Sequence, residues 1–187
     1  MARISFAAVA LTTMAVYALR VNGAAGLMVD DAWYVLLAKA MAEGRGYRLI
    51  SSAATEILPL YPPGLPAILS LVLRAHPEFP ENVWLLKSVS ITAMLATGLL
   101  TYVYLHRDRR VPRDLALCAA AGVTLTPAFV FLATSTLMSE CVFTFSQLAA
   151  LVLLHRSVEF GDPRRAGAFT VAAAIAAAAT VLIRSAG

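Results

Sequence analysis

Two adjacent carboxylates, Asp30 and Asp31, open the run Val29-Asp30-Asp31-Ala32-Trp33-Tyr34 and are the first residues placed to do acid–base chemistry. A carboxylate beside a low-dielectric boundary can have a raised pKa, as a general base needs. The pair also fits an acidic helix cap, because Asp accepts hydrogen bonds from the free N–H groups of a first turn. Both readings hold if the two members divide the roles. Glu140 is the second acidic candidate. It falls four residues into an apolar run, where an unpartnered carboxylate is expensive and marks function. The plainer alternative is a helix that begins one turn later, leaving Glu140 in water near its positive end. Arg184 ends another apolar run and could grip a phosphate bidentately, or serve only as an interface anchor. Lys87, Arg20, Arg45 and Arg48 are weaker candidates for the same phosphate role. Tyr61, in Leu60-Tyr61-Pro62-Pro63-Gly64-Leu65-Pro66, could line a pocket, although that element reads first as a stiff turn.

Other chemistries lack their residues. There is no Gly-rich phosphate loop after a strand, no CxxC and no Ser-His-Asp spacing. His76 and His106 have no metal-ligand spacing and read as surface residues, and His155 as a helix-end residue. Cys118 and Cys141 lie inside apolar runs and read as packing thiols, without a disulfide or a metal.

The elements that must position these residues are membrane helices. Of 187 residues, 60% are hydrophobic and only 14% charged, and the charges cluster between apolar runs, as the price of ionised groups in hydrocarbon requires. The net charge of +4 therefore flanks membrane spans and implies no nucleic-acid partner. The expected class is an all-α polytopic membrane protein with five transmembrane helices, at about 4–21, 83–105, 115–132, 137–154 and 166–183. The first run is slightly short. A cleaved signal peptide competes there, with Gly23-Ala24-Ala25 as a small-residue site. The third run should kink near Pro127, and Lys87 should snorkel to the interface.

A large first outer loop, 22–82, separates the first two spans. The spacing of Trp33, Leu36, Leu37, Ala40 and Met41 predicts an amphipathic surface helix over 32–43, aided by Lys39 and Glu43 and stopped by Gly44 and Gly46. Residues 46–55 read as irregular, 65–73 as a second short helix and 76–81 as a Pro-containing break. If every run crosses, Arg3, the arginines of 107–113, Arg156, Arg164 and Arg165 share one compartment, the cytoplasm by the positive-inside rule. The loop, Glu140 and Arg184 then share the outer face.

In this order the residues resemble the N-terminal part of the integral-membrane GT-C glycosyltransferases, in the bacterial RgtA/B/C/D-like and dolichyl-phosphate-mannose mannosyltransferase-like group. The likeness rests on the Asp30-Asp31-Ala32-Trp33-Tyr34 opening and on Ala38-Lys39-Ala40-Met41-Ala42-Glu43-Gly44-Arg45-Gly46-Tyr47. Tyr61-Pro62-Pro63-Gly64-Leu65-Pro66 and Leu137-Met138-Ser139-Glu140 extend it over essentially the whole chain. The resemblance implies Asp30 as catalytic base, with Asp31 orienting it or helping to bind donor or metal. It implies Glu140 at a substrate- or metal-binding position and Arg184 near the donor phosphate. Asp31 and Glu140 would be the ligands of a divalent ion, if one takes part. Tyr61 and Lys87 complete the candidate donor-binding set. The implied enzyme is a polyprenyl-phosphate-sugar-dependent hexosyl- or pentosyltransferase of the bacterial plasma membrane, its N-terminus cytoplasmic, building cell-envelope glycan. Its partners would be a lipid-linked sugar donor, a glycan, lipid or protein acceptor, and membrane lipids. Family members carry more helices, so the sequence reads as an N-terminal portion of such an enzyme. The competing functions are a transporter or flippase component and a noncatalytic scaffold or inactive fragment.

Overall fold

The computed structural model describes residues 5–51, 60–159 and 161–185, whose regular elements are helices with no strand among them. Eight α-helices follow in order: α1 (Phe6–Arg20), α2 (Val29–Ala42), α3 (Gly64–Ala75), α4 (Val83–Val103), α5 (Arg113–Thr124), α6 (Pro127–Ser135), α7 (Glu140–Glu159) and α8 (Pro163–Ile183). A single π-helical turn, Tyr104–Asp108, continues α4. Among the described residues, three helical stretches are long and apolar enough to cross a membrane: 83–108, 140–159 and 163–183. A fourth crossing results if α5 and α6, bent by 50° at their junction, act as one. The expected first span is the 15-residue α1, about 22 Å at 1.5 Å per residue and so short of a 30 Å hydrocarbon core.

Local sequence explains most boundaries. Asp162 caps α8, its carboxylate accepting from the Arg164 N–H at 3.1 Å, and Pro163 occupies the first helical position, where its missing N–H costs nothing. Pro127 does the same for α6, which is why the third apolar run breaks there. The Tyr17 hydroxyl donates to the Thr124 carbonyl at the end of α5, 2.7 Å away, filling an acceptor that the break leaves without its helical partner. The chain leaves α2 through Gly44 and Gly46, at φ +74 and +78, a left-handed geometry that glycine adopts without strain.

Several expected boundaries shift. The first loop helix starts at Val29 rather than 32, so the Asp pair lies inside its first turn. The second runs over Gly64–Ala75, not 65–73. Lys39 does not support α2 through Glu43, which instead pairs with Arg45 at 3.0 Å. Of the irregular stretch 46–55, residues 46–51 carry no helix or strand, and 52–59 lie outside the described residues, as do Arg3 and the start of the first run. Cys118 is free but exposed, against the expectation of a packed thiol, while Cys141 is free and buried. His106 is half-buried rather than on the surface, stacked on Tyr102 with ring centroids 5.5 Å apart.

Packing then gathers particular ends. α4 lies against α5, α6 and α7, α8 runs alongside α7, and α2 packs on α3, which in turn meets α4 and α8. Leu37, Leu65, Leu69, Leu86, Met94 and Leu137 are fully buried between them. The first loop thus docks onto the bundle where α4 and α7 begin and α8 ends.

Candidate functional site

The Asp pair is split by its surroundings. Asp31, third residue of α2, reaches back so that its Oδ1 accepts the Met28 backbone N–H at 2.8 Å. Such a bond satisfies one of the free donors of a first turn, and Asp31 is fully buried with it. Its Oδ2 is buried and has no hydrogen-bond partner among the described residues. Asp30, one residue earlier and half-buried, accepts the Tyr61 hydroxyl at 2.8 Å. Asp31 is the helix cap, and Asp30 is the carboxylate turned to the loop.

Tyr61 belongs to the Tyr-Pro-Pro-Gly element, and the geometry there gives each residue a task. Pro62 and Pro63 fix the backbone φ, and Pro63 is the cap residue of α3. A Cβ on Gly64 would lie 2.6 Å from the Leu182 carbonyl oxygen, so only glycine lets the start of α3 touch the end of α8. The Tyr61 ring meets the Tyr34 ring edge-on, with centroids 5.3 Å apart and planes at 63°, a favoured aromatic arrangement. Tyr34 stands one helical turn after Asp30, on the same face of α2. Its hydroxyl donates to Ser139 Oγ at 3.2 Å. Ser139 immediately precedes α7, its carbonyl accepting from the Phe143 N–H at 2.8 Å.

The next residue is Glu140, the first of α7. The apolar run therefore becomes helical at 140 and not at 137, as the plainer of the two sequence readings required. Glu140 is nevertheless not simply solvated. Its Oε1 pairs with Arg184 Nη1 at 2.6 Å, with the side chains 24% and 45% exposed, and its Oε2 is buried and unpartnered among the described residues. Arg184 is the residue that ends α8, its N–H bonded to the Thr180 carbonyl. One chain of contacts thus runs Asp30–Tyr61–Tyr34–Ser139, then through the backbone to Glu140 and on to Arg184.

Tyr34 lies at the electrostatic centre of this chain. Burial pushes its phenol above the ordinary value of 10.0, and the Ser139 bond partly offsets that rise; the negative charges of Glu140 and Asp30 add to it, and Arg184 opposes it. Asp30, Glu140 and Arg184 thus bear on a single hydroxyl. The Tyr61 phenol is also raised, first by its bond to the Asp30 carboxylate and then by burial. Burial raises Tyr47, which interacts with Tyr34 and whose buried hydroxyl has no partner among the described residues.

Lys87 departs from expectation. Instead of snorkelling outward it is fully buried, and its Nζ donates to the Asn22 carbonyl at 2.8 Å and to Asn22 Oδ1 at 2.9 Å. Asn22 also donates to Ser135 Oγ at 3.0 Å, so the amine pins the end of α1 to α4 and α6. Of the weaker cations, Arg45 is engaged with Glu43, and Arg20 and Arg48 are exposed. Among the described residues there is no group of three or more His, Cys, Asp or Glu side chains that could hold a metal ion.

Sequence reasoning did not give roles to Tyr34, Ser139, Tyr47 and Asn22. For Tyr34 a signal existed, its spacing of four from Asp30. For Ser139 and Asn22 there was none, since their partners lie more than a hundred positions away along the chain. No protein-family model matches this chain, and neither a curated protein nor a solved structure matches it.

Proposed function

We propose that the protein transfers a sugar from a polyprenyl-phosphate donor to an acceptor hydroxyl, with inversion, at one face of a bacterial plasma membrane. The observation that carries this reading is the contact chain from Asp30 to Arg184. It puts a carboxylate free of capping duty, two phenols, a second carboxylate and a guanidinium at one end of an apolar bundle. In the full reading α1 and the α5–α6 pair also cross, which makes five spans with a cytoplasmic N-terminus and leaves the site outside.

The chemistry needs a base for the acceptor hydroxyl and a cation for the departing phosphate. Asp30 takes the proton of the acceptor hydroxyl as that oxygen bonds to the anomeric carbon. The bond from that carbon to the phosphate oxygen breaks on the opposite face, and its electron pair leaves with the lipid phosphate. Nearby carboxylates stabilise the oxocarbenium-like transition state, as they do in glycoside hydrolysis. Arg184 receives the negative charge gained by the phosphate, a charge-assisted and bidentate partner in place of Glu140. Tyr61 orients the base, and the polyprenyl tail remains in the bilayer beside α8, whose Val171, Ile175 and Val181 are exposed.

The transporter alternative would use a broken helix with ionisable groups near mid-membrane. The α5–α6 pair is broken, but residues 115–135 contain no ionisable side chain except Cys118. The test is turnover of polyprenyl-phosphate sugars by the full-length protein, wild type against Asp30→Asn and Asp31→Asn. Removing a general base should lower kcat about 100- to 10,000-fold for Asp30→Asn while Asp31→Asn acts mainly on stability. Equal turnover by wild type and Asp30→Asn defeats the assignment.

A further inference from the structure

At the other end of the bundle, where α4 and α7 finish and α8 begins, lies a pocket of about 350 Å³ lined by Arg107, Asp108, Arg110, Arg156, Glu159 and Phe169. We propose that it binds the phosphate head of an anionic membrane lipid, a site independent of the glycosyl-transfer reading. The charge arrangement comes first. Both carboxylates are already matched: Asp108 by Arg156 Nε at 2.8 Å, and Glu159 by Arg109 at 3.8 Å and His155 at 3.3 Å. Arg107 and Arg110 are exposed and make no ion pair among the described residues, so the pocket keeps two uncompensated guanidinium groups. Paired guanidinium donors match a phosphate's oxygens.

The backbone is built to bring those two cations together. α4 ends in its π-helical turn, closed by the Arg109 N–H on the Tyr104 carbonyl at 3.0 Å and by the Val111 N–H on the Leu105 carbonyl at 2.9 Å. Between those two bonds Arg110 is left-handed, at φ +54. That is the position where a helix normally ends on glycine, because a side chain there is strained. A cation stands where glycine would be cheaper, and it lines the pocket. Strain of this kind is retained where the side chain has a function.

Position along the bundle selects a lipid over a soluble phosphate. The pocket is bounded by the ends of all three stretches that are long and apolar enough to cross a membrane. α7 alone has 20 residues, about 30 Å, which is one hydrocarbon thickness from the Glu140 end. A ligand here lies at the level of lipid headgroups. Phe169, in the second turn of α8, adds an apolar wall on the side of the spans, where a glycerol backbone and its acyl chains would continue. Basic pockets between helix ends are the known chemical form of such headgroup sites.

The test uses the purified full chain in neutral detergent and compares phosphatidylglycerol, phosphatidylcholine and inorganic phosphate by native mass spectrometry and by thermal unfolding. Wild type, Arg107→Gln, Arg110→Gly and the double variant are measured side by side. Arg110→Gly relieves the left-handed strain, so its Tm in phosphatidylcholine should equal or exceed that of wild type, which keeps lost binding separate from lost folding. The expected result is selective binding of phosphatidylglycerol with a raised Tm, weakened about 30-fold in the double variant by loss of two surface cations. Undiminished phosphatidylglycerol binding by the double variant overturns the proposal. So does equal binding of phosphatidylcholine, or an equal shift by inorganic phosphate alone.

Discussion

The phenol of Tyr61 donates to Asp30, so the fold holds its proton more tightly than the unfolded chain does. Its pKa is raised above 10.0, first by that bond. The stabilisation is therefore complete below pH 10 and is lost as pH rises through the higher folded value. We expect the Tyr61 signal of the tyrosine-labelled protein, followed by NMR from pH 8 to 12, to titrate above free tyrosine and to fall back in Asp30→Asn. A Tyr61 titration unmoved by Asp30→Asn would show that the bond does not form in solution. Tyr61→Phe should leave Asp30 present but unoriented, lowering turnover about tenfold, the loss of one charge-assisted hydrogen bond, with KM little changed. The sequence made the Asp pair conspicuous and named Tyr61, yet nothing in the spacing says which Asp is the cap. That follows from Met28, whose N–H takes Asp31 and thereby leaves Asp30 for the loop. Lys87 is obscure in the sequence for a related reason: position near a helix end suggests snorkelling, but the loop folds over it and supplies Asn22 as a partner.

Helix ends, more than helix bodies, build the acidic site: the starts of α2, α3 and α7 and the finish of α8 supply it. Gly64 shows how tight the meeting is. Gly64→Ala places a methyl 2.6 Å from a backbone oxygen that cannot rotate away, and overpacking of that kind costs about 1–3 kcal/mol. Gly122, inside α5, has nothing within 4 Å of its would-be Cβ, so Gly122→Ala should stabilise by about 0.5–1 kcal/mol through helix propensity. Thermal unfolding in detergent should move in opposite directions for the two variants, and a neutral Gly64→Ala would disprove the close approach. The Glu140–Arg184 pair joins two of these ends. Its side chains remain 24% and 45% exposed, so solvent screens it and a double-mutant cycle on Glu140→Gln and Arg184→Gln should give about 1 kcal/mol, decreasing with added salt. A coupling of zero would leave the two residues as mere neighbours. Periodicity and Pro127 made the helices and the break legible in the sequence. The start of α7 was not, because Leu137 and Met138 are as apolar as the helix that follows, and only the non-helical 136–139 segment shows that the run begins before its helix.

Charge, finally, is uneven along the bundle. Arg107, Arg109, Arg110, Arg113, Arg156, Arg164 and Arg165 outnumber Asp108, Asp114, Glu159 and Asp162 where α4 and α7 end and α5 and α8 begin, while Asp30, Asp31, Glu140 and Arg184 share the opposite end with Arg20 and Lys87. Among the described residues, length and composition support three crossings, or four with the bent pair, and leave α1 out. It is too short by itself to match a 30 Å core, but it packs against α5 and α6, and its buried Tyr17 is bonded to the Thr124 carbonyl. In the proposed arrangement three crossings, α4, the α5–α6 pair and α7, separate the residues after α1 from those before α8 and put them on opposite faces. In a background with Cys118→Ala and Cys141→Ala, single cysteines at two exposed positions, Ala25→Cys and Arg164→Cys, read this directly. With the arginine-rich end cytoplasmic, as the proposed arrangement and the positive-inside rule have it, a membrane-impermeant maleimide should label Ala25→Cys on intact cells and Arg164→Cys only after lysis. The reverse pattern would turn the Asp30–Arg184 site to the cytoplasm, away from the face at which the proposed donor is used. Labelling of both positions on one side would remove a crossing and take the five-span arrangement with it.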